Sequence, residues 1–187
     1  MNQIKLFLVF FLFEWIVILS GCATLSENQC RMQDWYGVGM DDGLQGYRSD
    51  RMTSHQKACA EYGVMVDRGA YLKGYNEGLR QFCTPANGYA IGRQGKSYYG
   101  VCTGPEAKDF QDAYNQGKWE HDVEGRLNDV EREIRDVEDQ MGKKDISRKE
   151  RDRLITEIRE LERERTYLRV MRNQGYTPGT TLEYEPY

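Results

Sequence analysis

From Val123 onward the apolar positions of this chain alternate at spacings of four and three: Val123, Leu127, Val130, Ile134, Val137 and Met141. That is the narrow seam of a helix packed on one partner helix. Gly142-Lys143-Lys144-Asp145-Ile146 interrupts it, and Ser147-Arg148-Lys149-Glu150 then has the form of a capping box, in which serine and glutamate satisfy free N–H groups reciprocally. A second seam runs through Leu154, Ile158, Leu161, Leu168 and Met171, with Arg165 at a position that should be apolar. Asn173 to Gly175 ends it, and Pro178 forbids resumption. Upstream, Thr103-Gly104-Pro105-Glu106 is a helix start, with proline suited to the first position and Glu106 favourable at the positive end. Residues 105–175 are therefore predicted to form a long antiparallel helical hairpin of coiled-coil type, about 35 to 40 Å long at 1.5 Å per residue. Residues 176–187 follow as a short tail expected to be flexible.

The pattern before the hairpin is different. Between Asp34 and Gly104 lie 13 of the 19 glycines and 8 of the 13 tyrosines. Within this stretch runs a loose repeat, aromatic-x-x-small-x-x-polar-Gly. Tyr36, Gly39, Asp42 and Gly43 give one copy; Tyr71, Gly74, Glu77 and Gly78 a second; Phe110, Ala113, Gln116 and Gly117 a third. Tyr89, Gly92, Gln94 and Gly95 form a further copy one residue short. Spacings of three and seven place the aromatic and both small residues on one helical face. Glycine inside a helix costs roughly 1 kcal/mol relative to alanine, so such helices need a packing reason. Three remain open: close helix contact, a ring lying over bare backbone, or a series of turns. The chain is thus expected to be mainly α, a small Gly/Tyr-rich domain of helices and loops over 22–104 followed by the hairpin.

Charge refines the hairpin. Glu120 to Gly142 carries nine acids and three bases, whereas Ser147 to Arg172 carries six acids and nine bases. Opposite charge and a short loop favour pairing of the two helices, although each exposed ion pair adds only about 0.3 to 0.5 kcal/mol. One seam makes a thin core, which leaves room for a partner, for self-association or for packing back on the first domain.

The N-terminus gives an address. Met1 to Lys5 holds one positive charge, Leu6 to Ile18 is apolar but for Glu14, and Leu19-Ser20-Gly21-Cys22 follows. The run is shorter than the roughly 20 residues of a membrane span, and the tetrapeptide resembles a bacterial lipobox. That resemblance implies a signal peptide over 1–21 and acylation of Cys22. Several acyl chains at roughly 0.8 kcal/mol per buried methylene hold a protein stably on a membrane. Ala23 after the cysteine, in place of the Asp associated with inner-membrane retention, implies the periplasmic face of the outer membrane. Four cysteines remain, Cys30, Cys59, Cys83 and Cys102. An even number in an oxidising compartment indicates two disulfides with three possible connectivities. Sequential pairs, Cys30 with Cys59 and Cys83 with Cys102, close the shortest loops.

Taken together, a lipobox, Cys30 with Asp34-Trp35, Gly39 and Asp42-Gly43, then Cys59-Ala60, Tyr71-x-x-Gly74, Gly78-Leu79, Cys83, Gly92 and Tyr99-Gly100-x-Cys102 resemble a lipoprotein family of Gram-negative bacteria, domain of unknown function 2799. The resemblance runs from about Cys22 to Trp119. It implies neither an activity nor a fold.

Candidate chemistry is sparse. Ala90 to Ser97, AIGRQGKS, has P-loop spacing if Ala90 replaces the first glycine. No strand run precedes it and no clear helix follows it, so a Gly-rich loop tied at its base by Cys83 and Cys102 is expected, with no nucleotide. His55 and His121 are the only histidines, too few for a histidine-rich metal site, and no nucleophile motif accompanies them. Asp41-Asp42 and Glu138-Asp139 have the look of turn or helix-surface acids, and His121 of a solvated side chain. A net charge of −4 with bases interleaved among acids argues against nucleic acid. The sequence therefore points to a protein without catalytic residues, metal or cofactor. Its expected role is interaction with an envelope protein or a second copy through the hairpin. The alternative is glycan binding, peptidoglycan for example, by Tyr89, Arg93, Lys96, Tyr98 and Tyr99.

Overall fold

The computed structural model describes residues 23–179 and Leu182; the signal segment and Cys22 lie outside the described residues. Among the described residues there are seven helices and no strand. They are α1 (Glu27–Met32), α2 (Trp35–Leu44), α3 (Arg51–Ala60), α4 (Arg68–Phe82), α5 (Pro85–Arg93), α6 (Glu106–Met141) and α7 (Arg148–Gln174). Two disulfides join them, Cys30 to Cys59 and Cys83 to Cys102.

The chain divides into two compact units between Phe82 and Cys83. The sequence reading sets its boundary at Gly104 instead, between the Gly/Tyr-rich region and the hairpin. Helix α5 packs along α6, and the Cys83–Cys102 bond ties the start of α5 to the chain entering α6. The second half of the Gly/Tyr-rich region therefore belongs to the unit that carries the hairpin.

In the first unit, Ser26 caps α1 in a capping box with Gln29, and Asp34 caps α2 by accepting from the Gly37 N–H at 2.9 Å. The core gathers Leu25, Cys30, Trp35, Cys59, Tyr71 and Tyr75. At its centre α2 and α4 cross with no side chains between them. A methyl group on Gly39 would lie 2.0 Å from the Tyr71 carbonyl oxygen, and one on Gly43 would lie 2.3 Å from that of Tyr75. Reciprocally, a methyl group on Gly74 would lie 2.0 Å from the Tyr36 carbonyl oxygen and one on Gly78 2.3 Å from that of Met40. Because both numberings rise together, the two helices run parallel. The loop and α3 between them return the chain to the starting end.

The second unit repeats the device. Gly88 faces the Phe110 carbonyl, Gly92 that of Tyr114, and Gly117 that of Tyr89, at 2.5, 2.3 and 2.3 Å for the same methyl probe. Helices α5 and α6 are again parallel, and residues 94–105 return the chain. The small-residue pairs in register are thus Gly39/Gly43, Gly74/Gly78, Gly88/Gly92 and Ala113/Gly117. Four copies make two helix pairs. The phase predicted for the shortened copy, Tyr89, Gly92, Gln94 and Gly95, is corrected: Pro85 holds its aromatic position, and Gly95 lies beyond the helix.

Downstream, α6 continues to Met141 and pairs with α7. Val123, Leu127, Val130, Ile134, Val137, Leu154, Leu168 and Met171 are buried along this hairpin, as the seam spacing predicts. Arg126 reaches across to Glu164 with two bonds of 2.6 and 2.9 Å, and Arg169 to Glu131 at 2.9 Å. Ser147 caps α7 by accepting from the Glu150 N–H. The start of the tail makes contacts with the hairpin. The Tyr176 ring lies 5.9 Å from that of Trp119, and Leu182 packs on the Trp119, Val123 and Met171 cluster. The indole offers an apolar face that the helix-breaking turn at Gly175 lets the chain cover.

Candidate functional site

The most concentrated chemistry in the described residues is a polar cluster inside the first unit. Asp42, 5% exposed, follows α2 around to the side opposite solvent because its neighbour Gly43 is pressed on α4. His55 of α3 is 1% exposed. Its Nε2 lies 2.8 Å from Asp42 Oδ2, and its Nδ1 lies 2.8 Å from the Thr24 hydroxyl. The Tyr71 hydroxyl donates to the same Asp42 oxygen at 2.7 Å. Arg51 Nε stands 3.1 Å from the other oxygen, with its guanidinium 4.1 Å above the Tyr47 ring.

Thr24, His55, Asp42 and Tyr71 compensate one another's burial through these hydrogen bonds, which is the condition for keeping such groups out of water. Burial pushes the Tyr71 phenol well above its ordinary range, and the hydrogen bond to Asp42 and that carboxylate's charge push it further. Tyr75 is raised by burial first, then by the charges of Asp42 and Asp50. This corrects the expectation that Asp42 is a turn or surface acid. The sequence also passed over His55. The one available signal was that Asp42 precedes a repeat glycine and Tyr71 occupies the aromatic position of the partner copy, so pairing the copies brings them together.

Chemically, the order hydroxyl, imidazole, carboxylate is that of an acyl-transfer triad. Here the imidazole is sealed from solvent, and a tyrosine shares the carboxylate oxygen. With Nε2–H given to Asp42, Nδ1 accepts from Thr24; with both nitrogens protonated, Nδ1–H donates to it. The Thr24 segment is held in either state. Among the described residues no group of three His, Cys, Asp or Glu side chains is placed to hold a metal ion.

Of the residues singled out for glycan binding, Tyr89 and Arg93 lie on α5 and Lys96, Tyr98 and Tyr99 in the loop after it, and they are only partly brought together. Tyr98 is turned inward: its ring lies 4.7 Å from Phe110 and 5.6 Å from Tyr114, and its hydroxyl accepts from the Cys102 N–H at 2.9 Å. Tyr89 donates to Glu120 at 2.6 Å, a bond that raises its phenol. Arg93 pairs with Glu124 at 3.0 Å, which raises the guanidinium. Tyr99, 56% exposed, and Lys96 remain on the surface.

The stretch Ala90 to Ser97 is the end of α5. Gly95 has φ of 68°, its N–H reaches the Gly92 carbonyl at 2.8 Å, and the Lys96 N–H reaches that of Ile91 at 3.1 Å. This is a Schellman ending. Gly-Lys-Ser therefore follows the negative end of a helix, whereas a phosphate loop precedes the positive end. His121, expected to be solvated, is exposed but occupied: its Nδ1 lies 3.1 Å from the Arg93 carbonyl, and its ring covers Gly95.

Residues 34–119 match the family described as protein of unknown function (DUF2799). Uncharacterized protein YfiL of Escherichia coli (strain K12) is 37% identical over 98 residues, which cover 51% of this chain and 74% of that protein. No solved structure matches the chain. The chain belongs to the DUF2799 family. The matched segment begins at the Asp34 cap and ends at Trp119, so it contains both glycine-crossed helix pairs and stops where the hairpin seam begins.

Proposed function

We propose that this DUF2799 member is a lipid-anchored envelope protein, held through Cys22 on the periplasmic face of the outer membrane. It works without catalysis as an interaction or scaffold protein, and its α6–α7 hairpin engages an envelope protein or a second copy. One observation carries the reading: both nitrogens of buried His55 and the carboxylate of Asp42 are engaged in holding the chain. On this reading those groups serve the fold. The hairpin's seam side chains are closed on each other, so a partner would meet its charged outer surface. At the tip, Lys143, Lys144, Arg148 and Lys149 are all exposed, which suits an acidic partner surface.

Crosslinking in intact envelopes tests this, comparing the natural chain with a variant in which those four bases are replaced by glutamate. Protein crosslinks should fall at least about fivefold, the scale of losing roughly 1 kcal/mol of interaction, with the melting temperature unchanged. Undiminished recovery of the same partners would refute the role of the tip. Recovery of cell-wall material by both chains would move binding to the Tyr99 and Lys96 loop.

A further inference from the structure

We infer that the first unit rests directly on the lipid headgroups around its own anchor, with no intervening linker. The inference deepens the lipid-anchor reading and depends on it. Its ground is how early the fold takes hold of the chain. Thr24 is bonded to buried His55. Leu25 is in the core at 6% exposure. Ser26 caps α1, and Cys30 in that helix is bonded to Cys59. Ala23 alone separates this fixed segment from Cys22. Two steps of 3.8 Å between successive Cα atoms allow at most about 7.6 Å from Cys22 to Thr24.

Acyl chains buried in the bilayer put the Cys22 backbone at headgroup level. A folded domain cannot stand off from that level by more than this reach, so the surface around Thr24 faces the bilayer. Charge does not oppose it. Residues 23–82 hold eight acids and seven bases, nearly neutral towards an anionic lipid surface.

The second unit shows that the clamp is additional to the helix-pair fold. In the equivalent positions it has Phe110 for Tyr71 and Ile91 for Asp42, and its return segment has no counterpart of His55. A parallel glycine-crossed pair forms there without the cluster. What the cluster adds in the first unit is a hold on Thr24, the residue next but one to the anchor.

Energy transfer to the membrane surface tests the inference in the full mature chain. Of the three tryptophans, Trp15 is in the signal segment, so Trp119→Phe leaves Trp35 in the first unit as the single donor. The protein is extracted from envelopes and reconstituted in phosphatidylethanolamine and phosphatidylglycerol vesicles bearing headgroup-dansylated phosphatidylethanolamine. A second version carries 20 Gly/Ser residues inserted between Ala23 and Thr24, a flexible span of about 25 Å. Transfer from Trp35 should be several-fold stronger without the insert than with it. The mass of the N-terminal peptide is measured on both samples. Equal transfer from two proteins that both carry acylated Cys22 would overturn the apposition while leaving the anchor standing. An unacylated Cys22 would remove the anchor, and the inference with it.

Discussion

The two units are two treatments of one motif. In each, a parallel helix pair meets backbone to backbone at glycines, and the first helix of the pair ends in the same way. The Gly46 N–H reaches the Gly43 carbonyl at 3.1 Å and the Tyr47 N–H that of Asp42 at 3.0 Å, matching the bonds at Gly95 and Lys96. The Tyr75 hydroxyl then donates to the Tyr47 carbonyl at 2.7 Å, as the Tyr114 hydroxyl does to that of Lys96 at 3.0 Å. A methyl group on Gly46 would strike the Phe82 ring, and one on Gly95 the His121 ring, which occupies the equivalent place. So many shared details indicate an internal duplication. The units differ in what fills the space beside the crossing. The second uses Phe110 and Ile91 and extends α6 into a hairpin; the first uses Tyr71 and Asp42 and adds α3 with His55. The lesson is that the glycine crossing sets the fold, and the neighbouring positions are free to be specialised.

The sharpest way to break that comparison is to attack the specialisation alone. Asp42→Ala strands the His55 Nε2, the Tyr71 hydroxyl and Arg51, and should cost about 3 to 5 kcal/mol of stability, the range for removing one member of a buried charged network. Rebuilding the second unit's solution, Asp42→Ile with Tyr71→Phe and His55→Leu, should recover most of that loss. Hydrogen exchange at Ser26, Gln29 and Cys30, whose N–H groups are bonded in the natural chain, should nevertheless remain faster in the rebuilt protein, because Thr24 has lost its partner. Continued protection there would show that the cluster does not hold the N-terminal segment.

A smaller effect probes the crossing. Gly74→Ala puts a methyl 2.0 Å from the Tyr36 carbonyl and 2.9 Å from the Met40 N, a clash with backbone that must be relieved by separating α2 from α4. The expected loss is about 3 kcal/mol, the upper end for overpacking. In the second unit the equivalent residue is already Ala113, and Gly125, further along α6, has open space around it. Gly125→Ala should therefore stabilise by about 1 kcal/mol from helix propensity. Chemical denaturation of the two variants decides the matter: similar losses for both would mean that close approach is not what the repeat glycines provide.

Much of this was legible in the residues. The hairpin, its cap at Ser147 and the sequential cysteine pairing follow from local pattern, because each depends on neighbours within one or two turns or on short loop closure. The repeat was visible, but its phase in α5 was not: proline stands where the other copies have a ring, and a capping glycine imitates a packing one. The cluster at Asp42 was hidden for a different reason. Its members come from four separate segments, and His55 lies on a helix that the other copy lacks, so no periodicity links them. Burial of Asp42 is decided by the α2–α4 crossing, and only that crossing tells a buried acid from the exposed one beside it at Asp41.

Alkaline titration sharpens the comparison at its smallest scale. Tyr71 and Phe110 are the same position with and without a hydroxyl, and Tyr71→Phe should cost about 1 kcal/mol at neutral pH for the lost hydrogen bond. Above pH 10 the sign changes. Burial and the neighbouring carboxylate raise the folded phenol, so the folded state keeps a proton that the unfolded tyrosine releases near its ordinary value of about 10. The favourable contribution of that proton is complete below the unfolded value and is lost as pH rises toward the folded one, at about 1.4 kcal/mol per pH unit. The natural chain should therefore lose stability above pH 10 more steeply than the Tyr71→Phe variant, by the slope of one proton, and the two curves should converge and then cross. Parallel curves in urea denaturation between pH 9 and 11.5 would mean that Tyr71 ionises freely, and that the space beside the first crossing is open to water in a way the buried contacts around Phe110 are not.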